Sequence, residues 1–256
     1  MTVRVAAAQL RSTQDPVETA GLVASWAARA ADDGAELVVF PEAMMANFTT
    51  RLQPVAEALD GRFATSVRET AARRGLWLVV GMFEPADGGR VFNTVIATDG
   101  ERLHHYRKIH LYDSFGSRES ATVKAGTELV TFPALGTTIG LATCYDVRFA
   151  EQFIGLRRAG AELICLPTSW APGPTKVEQW ELLVRSRAMD ARAHLVAADQ
   201  SGRPSETSRA PLGVGHSLVA GPMGRVVAAL GASDDLLLAS VDRDEVEQAR
   251  AAIPMD

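Results

Sequence analysis

Apolar runs with the character of strands alternate with helix-like segments along most of this chain. That alternation constrains its fold more than any other feature. "VRVAAAQL" is followed by "DPVETAGLVASWAARAADDG", and "AELVVFPEA" comes next. Strands that are apolar on both sides must be covered on both faces. Alternation with helices, plus hairpins, therefore indicates an α/β fold with mixed sheets and helices on the outer faces. In the first helix Asp15 is placed to cap, Pro16 suits the first position, and Glu18 completes a capping box. Val17, Ala20, Ala24, Ala27, Ala28 and Ala31 form one small-residue face, and Gly34 ends the segment. Residues 60 to 74 read as a helix, and Gly75 precedes the strand "LWLVVGMFE". "VFNTVIATDGERLHHYRKIH" reads as two strands joined by a type I′ turn at Asp99-Gly100. Two further helices, "RFAEQFIGLRRAG" and "KVEQWELLVRSRAMDARA", flank the strand "AELICLPTSW". The strand "HLVAADQ", a second hairpin "GHSLVAGPMGRVVAAL" and a last strand and helix follow.

"GAELVVFPE" at 34–42 and "GAELICLPTSW" at 160–170 echo each other, a hint of internal repetition. No segment reads as an interdomain linker, so residues 1–256 are expected to form a single domain. The polar stretch 201–211 is expected to be a surface loop. A net charge of −5 disfavours nucleic acid, which calls for a basic face. No apolar run approaches the roughly 20 residues of a membrane helix. The amino terminus reads as a strand rather than a signal peptide. Two cysteines cannot build a disulfide framework, so a cytoplasmic, reducing environment is expected.

Reactive groups in α/β folds gather beyond the carboxyl ends of strands, and three such ends carry unusual residues. Glu42 follows the apolar run and Pro of "VVFPE". Burial there would raise its pKa toward the range of a useful base; alone, a helix cap or a surface acid is the preferred reading. Lys108 in "HHYRKIHLYD" follows a hairpin strand, where alternation turns it away from Arg107; alone, it reads as part of a basic patch. His104, His105 and His110 lack a carboxylate or thiol at ligand spacing, so no metal site is expected. Cys144 lies where an apolar strand meets a helix start, a position that favours a thiolate and offers N–H groups to an oxyanion. A small buried residue is the competing reading, and it is preferred for Cys165. His194 and His216 could pair with a thiol, but neither sits in a matching local pattern.

Taken in order, "FPE", "YRKIHLYD" and "CYDVRFAE" resemble the Glu–Lys–Cys signature of the nitrilase superfamily of carbon–nitrogen hydrolases. "LDGRF", "WLVVGMFE", "FNT", "WELLVRSRAMDARAHLVAADQSG" and "GHSLVAGPMGRVV" extend the resemblance over almost the whole chain. Tyr145-Asp146 after the cysteine is similar to the amidase-like branch, which includes omega-amidase and deaminated glutathione amidase. The resemblance implies a four-layer α-β-β-α sandwich and hydrolysis of a small linear amide through a cysteine thioester. By position, Cys144 is the nucleophile and Glu42 the general base. Lys108, aided by the N–H of Tyr145, stabilises the oxyanion. Glu119 in "SRES" corresponds to a second glutamate that positions substrate or tunes Lys108. No cofactor is implied. A homodimer is, through the helix near Glu151 and the one from Val177 to Ala191, although Trp180, Leu183, Val184 and Met189 could equally be buried within one subunit. Trp170 falls where relatives carry an aromatic residue over the pocket; they often continue Thr-Gly-Pro where this chain has Pro172-Gly173-Pro174. Arg148 either binds a substrate carboxylate or braces Asp146 or Glu151. An N-carbamoyl amide hydrolase, a nitrilase and a catalytically silent dimeric binding module are the alternatives; retention of Glu42, Lys108 and Cys144 argues against the last.

Overall fold

Twelve strands and six helices form in the computed structural model, which describes residues 2–202 and 210–254. In chain order they are β1 (Thr2–Gln9), α1 (Pro16–Asp32), β2 (Leu37–Val39), α2 (Leu52–Val55), α3 (Arg62–Arg74), β3 (Trp77–Pro85), β4 (Val91–Thr98), β5 (Leu103–Arg107), β6 (Val130–Ala134) and β7 (Thr137–Leu141). Then come α4 (Ala150–Arg158), β8 (Leu163–Thr168), α5 (Lys176–Ala191), β9 (His194–Asp199), β10 (Leu218–Ala220), β11 (Val226–Ala229), β12 (Asp235–Asp242) and α6 (Arg243–Ala252). They build two six-stranded sheets, ordered β12-β1-β2-β3-β4-β5 and β11-β10-β9-β8-β7-β6.

Alternation along each strand sorts its side chains into two layers. On β1, Val5 and Ala7 face the second sheet, where they join Leu141, Cys165, Val196 and Val219. Ala6 and Ala8 point the other way, onto Val23 and Ala27 of α1 and Phe63 and Val67 of α3. Ile164 and Leu195 of the second sheet likewise meet Phe153 of α4 and Trp180 and Val184 of α5. The result is the expected α-β-β-α sandwich. The sequence echo has a structural meaning: β2 is the middle strand of the parallel trio β1-β2-β3, and β8 is the middle strand of β7-β8-β9. Their carboxyl ends meet, with the Glu42 N–H donating to the Thr168 carbonyl at 3.2 Å.

Three local readings change. Asp15 caps Val17 N–H as expected, but its own N–H donates to Thr13 Oγ1, so no reciprocal bond from Glu18 forms there. The buried face of α1 is Thr19, Val23, Ala27 and Ala30, while Val17 is 75% exposed. So many alanines give the helix little contrast from which to read a face. The β4–β5 connection is a four-residue loop, because Thr98 pairs with Leu103. The Asp99 carboxylate accepts from the N–H groups of Glu101 and Arg102, which stabilises the longer loop over a type I′ turn. The second hairpin forms between β10 and β11. Most of the expected 201–211 loop, residues 203–209, lies outside the described residues. No helix among the described residues is long and apolar enough to cross a membrane.

Candidate active site

The carboxyl ends of β2, β5, β7 and β8 converge on one cavity of about 280 Å³, lined by Glu42, Lys108, Glu119, Cys144, Tyr145, Trp170 and Lys176 among others. Glu42 is fully buried, and both its oxygens accept hydrogen bonds. Oε1 takes Lys108 Nζ at 2.9 Å and Asn93 Nδ2 at 2.8 Å; Oε2 takes the Ser169 N–H at 3.0 Å. Lys108 Nζ also reaches Glu119 Oε2 at 2.9 Å. Glu119 is oriented from behind by the Tyr112 N–H at 2.6 Å and by Asn93 Nδ2 at 3.2 Å. As alternation required, Arg107 turns outward and pairs with Glu84.

Burial opposes the charge on Lys108, but Glu119 and Glu42 outweigh it and hold the amine well above the ordinary lysine range. It is a fixed cation. Burial raises the Glu42 carboxyl, partly countered by Lys108. Cys144 departs from the thiolate expectation. Burial and the nearby Glu42 charge push its thiol well above the usual range, against Lys108. The surroundings of Cys144 favour the neutral thiol.

Local sequence explains how the thiol is presented. Thr143 and Asp146 form a capping box around a short 3-10 turn, Cys144–Arg148, with Cys144 as its first residue. The turn is held from outside by Tyr106 Oη and the His110 N–H, which donate to Asp146 at 2.7 and 3.0 Å. Cys144 itself has φ of +47°, a left-handed value that costs a non-glycine residue roughly 1–3 kcal/mol. Ala43, directly after Glu42, has φ of +55°. Two residues of this kind thus lie where the two sheets meet.

The remaining sequence candidates fall in several places. Tyr145 lines the cavity and its hydroxyl pairs with Ser114 Oγ at 2.8 Å; Trp170 lines it too. Arg148 does not line the cavity, and it braces neither Asp146 nor Glu151. Its Nη2 donates to Gln179 Oε1 at 2.8 Å, and its guanidinium lies 5.1 Å from the Trp170 ring. His104 stacks on Phe132 and His110 on Phe149; His194 Nε2 pairs with the Asp242 carbonyl and His216 Nδ1 approaches Glu181. None of these four lines the cavity. Among the described residues no group of three or more His, Cys, Asp or Glu side chains is arranged to hold a metal. Trp180 and Val184 are buried within the subunit, whereas Met189 is exposed.

Sequence reasoning missed Asn93, Ser169, Lys176 and Asp199 as site residues. Asp199 is wholly buried at the end of β9, a carboxylate closing an apolar strand just as Glu42 does. Its two oxygens accept the N–H groups of Trp170 and Val214, each at 2.8 Å, and burial raises its carboxyl to about 8. It fixes the cavity wall. Asp199→Asn is expected to turn an amide NH2 toward one of those N–H donors and to destabilise the fold by about 1–3 kcal/mol. Thermal denaturation measures this; an unchanged midpoint would remove Asp199 from the frame.

A family model described as carbon–nitrogen hydrolase matches residues 4–251. A hydrolase of Mycobacterium tuberculosis is 45% identical, over 98% of this chain and 93% of its own. The deaminated glutathione amidase of Escherichia coli O157:H7 is 33% identical, over 98% and 95%. The amidase of Nesterenkonia sp. AN1 superposes with a TM-score of 0.81 at 27% identity, covering 98% of this chain and 94% of that one; the structure is of a variant with an acetamide moiety covalently added at its active-site cysteine. Fold, convergent residues and a match over nearly the full length agree: the chain belongs to the carbon–nitrogen hydrolases of the nitrilase superfamily.

Proposed function

We propose that the protein hydrolyses a small linear amide bearing a carboxylate, releasing ammonia through a thioester on Cys144. The observation that carries this reading is Lys108 held between Glu42 and Glu119 at the floor of a cavity that also exposes the Cys144 side. Glu42 accepts the thiol proton as Sγ attacks the amide carbon. The carbonyl oxygen gains negative charge beside Lys108 and the Tyr145 N–H, which precedes the first intrahelical bond of its turn. Collapse breaks the C–N bond, and Glu42 passes its proton to the departing ammonia. Glu42 then takes a proton from water, the hydroxide attacks the thioester, and the acid and free thiol are restored. The named E. coli relative, an amidase, supports amides over ureido acids and nitriles.

Two free, buried cysteines suit a reducing, cytoplasmic setting. Leu182 and Met189, exposed on α5, offer apolar surface for a second copy. Ammonia release across a panel of linear amides, ureido acids and nitriles tests the reading. Amides should turn over fastest, and a chelator should leave the rate unchanged. Faster release from ureido acids or nitriles would replace it with one of those activities, and no release from any would favour a binding module.

A further inference from the structure

We propose that Lys176 selects the substrate by pairing with the carboxylate at the far end of the amide, a proposal that rests on the amidase reading above. Lys176 opens α5, is only 8% exposed, and lines the cavity. Its Nζ lies 3.6 Å from the ring centre of Phe115, 5.7 Å from Trp170 and 5.9 Å from Tyr112. Among the described residues no carboxylate lies within ion-pair distance of it. Ring faces attract a cation, but they do not supply the counter-charge that a buried ammonium lacks. Burial, and then repulsion from Arg148, lower the Lys176 amine below the ordinary lysine range. A lysine in the first turn of a helix also opposes the helix dipole. Burial, the Arg148 charge and the dipole all disfavour this charge, and a carboxylate beside it would supply the counter-charge that offsets them.

The backbone places the side chain deliberately. Gly173 has φ of +151° and Thr175 of +58°, so the Pro172-Gly173-Pro174 turn folds the start of α5 back onto the site. Trp170 Nε1 donates to the Lys176 carbonyl at 2.9 Å and pins it there. Two other cations are less suited. Arg148 is committed to Gln179 and lies outside the lining. Arg118 lines the cavity but is exposed, where water screens it.

The test compares kcat/KM for succinamate and for butyramide, the same chain with a methyl in place of the carboxylate. The succinamate-to-butyramide ratio should fall roughly 10- to 150-fold in Lys176→Met, the worth of a charge-assisted contact. Lys176→Arg should keep most of the preference, and Arg118→Gln should shift the ratio by less than about threefold, as an exposed charge does. A ratio in Lys176→Met within about threefold of wild type would overturn the proposal. Calorimetric binding of succinamate to Cys144→Ala, with and without Lys176→Met, reads the same contact without turnover. Failure to hydrolyse any amide, with succinamate binding that depends on Lys176, would sink the amidase reading and keep the anion site. Butyramide turnover with equal succinamate binding in both proteins would do the reverse.

Discussion

Glu42→Gln is expected to lower kcat by about 10²- to 10⁴-fold, the usual worth of a positioned general base. The amide is nearly isosteric and its oxygen can still accept the Ser169 N–H, so the fold should persist. The wild-type profile carries the same information. In the proposed mechanism Glu42 acts as a base only when ionised, and burial raises its pKa. Activity should therefore fall, as pH drops, at a higher pH than an ordinary carboxylate would dictate, and that limb should vanish from the residual activity of Glu42→Gln. Lys108→Ala should cost about 10²- to 10³-fold for a lost oxyanion partner. It should also lower the melting temperature more than Glu42→Gln does, because it leaves Glu42 and Glu119 buried around no cation. Breaking a buried pair in this way typically costs about 3–5 kcal/mol. Activity within a few-fold of wild type in either variant would remove that residue from the mechanism.

That Glu42, Lys108 and Cys144 meet in one cavity was legible only from the three motifs taken in order, since each follows a strand and strand ends are where an α/β fold exposes chemistry. The echo between 34–42 and 160–170 was legible too, since the same residue pattern builds the middle strand of each parallel trio. What the sequence hid is long-range. Ser169 donates to Glu42 from 127 residues away, and Gln200 donates to the Glu42 carbonyl from 158 away. No local pattern carries such pairings. Asn93 interrupts the apolar run of β4, and Asp199 closes that of β9, so a search for polar residues in buried strands would have found both. The thiolate expectation failed for a different reason. A turn start favours a thiolate locally, but complete burial beside the Glu42 charge is the larger effect at Cys144. The position of Arg148 four residues after the cysteine fixes its element and not its partner; the bond to Gln179 of α5, 31 residues on, was not legible.

Cys144→Ala carries the largest expected effect, since nucleophile and base act as a unit and removing the nucleophile of such a unit costs on the order of 10⁶-fold. Cys165 lies between the sheets, and burial alone raises its thiol, so it contributes neither reactivity nor rescue. The covalent intermediate can be caught directly. Rapid acid quench during turnover of a linear amide, followed by intact-mass and peptide-mass measurement, should find one acyl group per chain on the peptide holding Cys144. None should be found on Cys165, and none in Cys144→Ala. Full turnover by Cys144→Ala, or an acyl group on any other residue, would contradict the account.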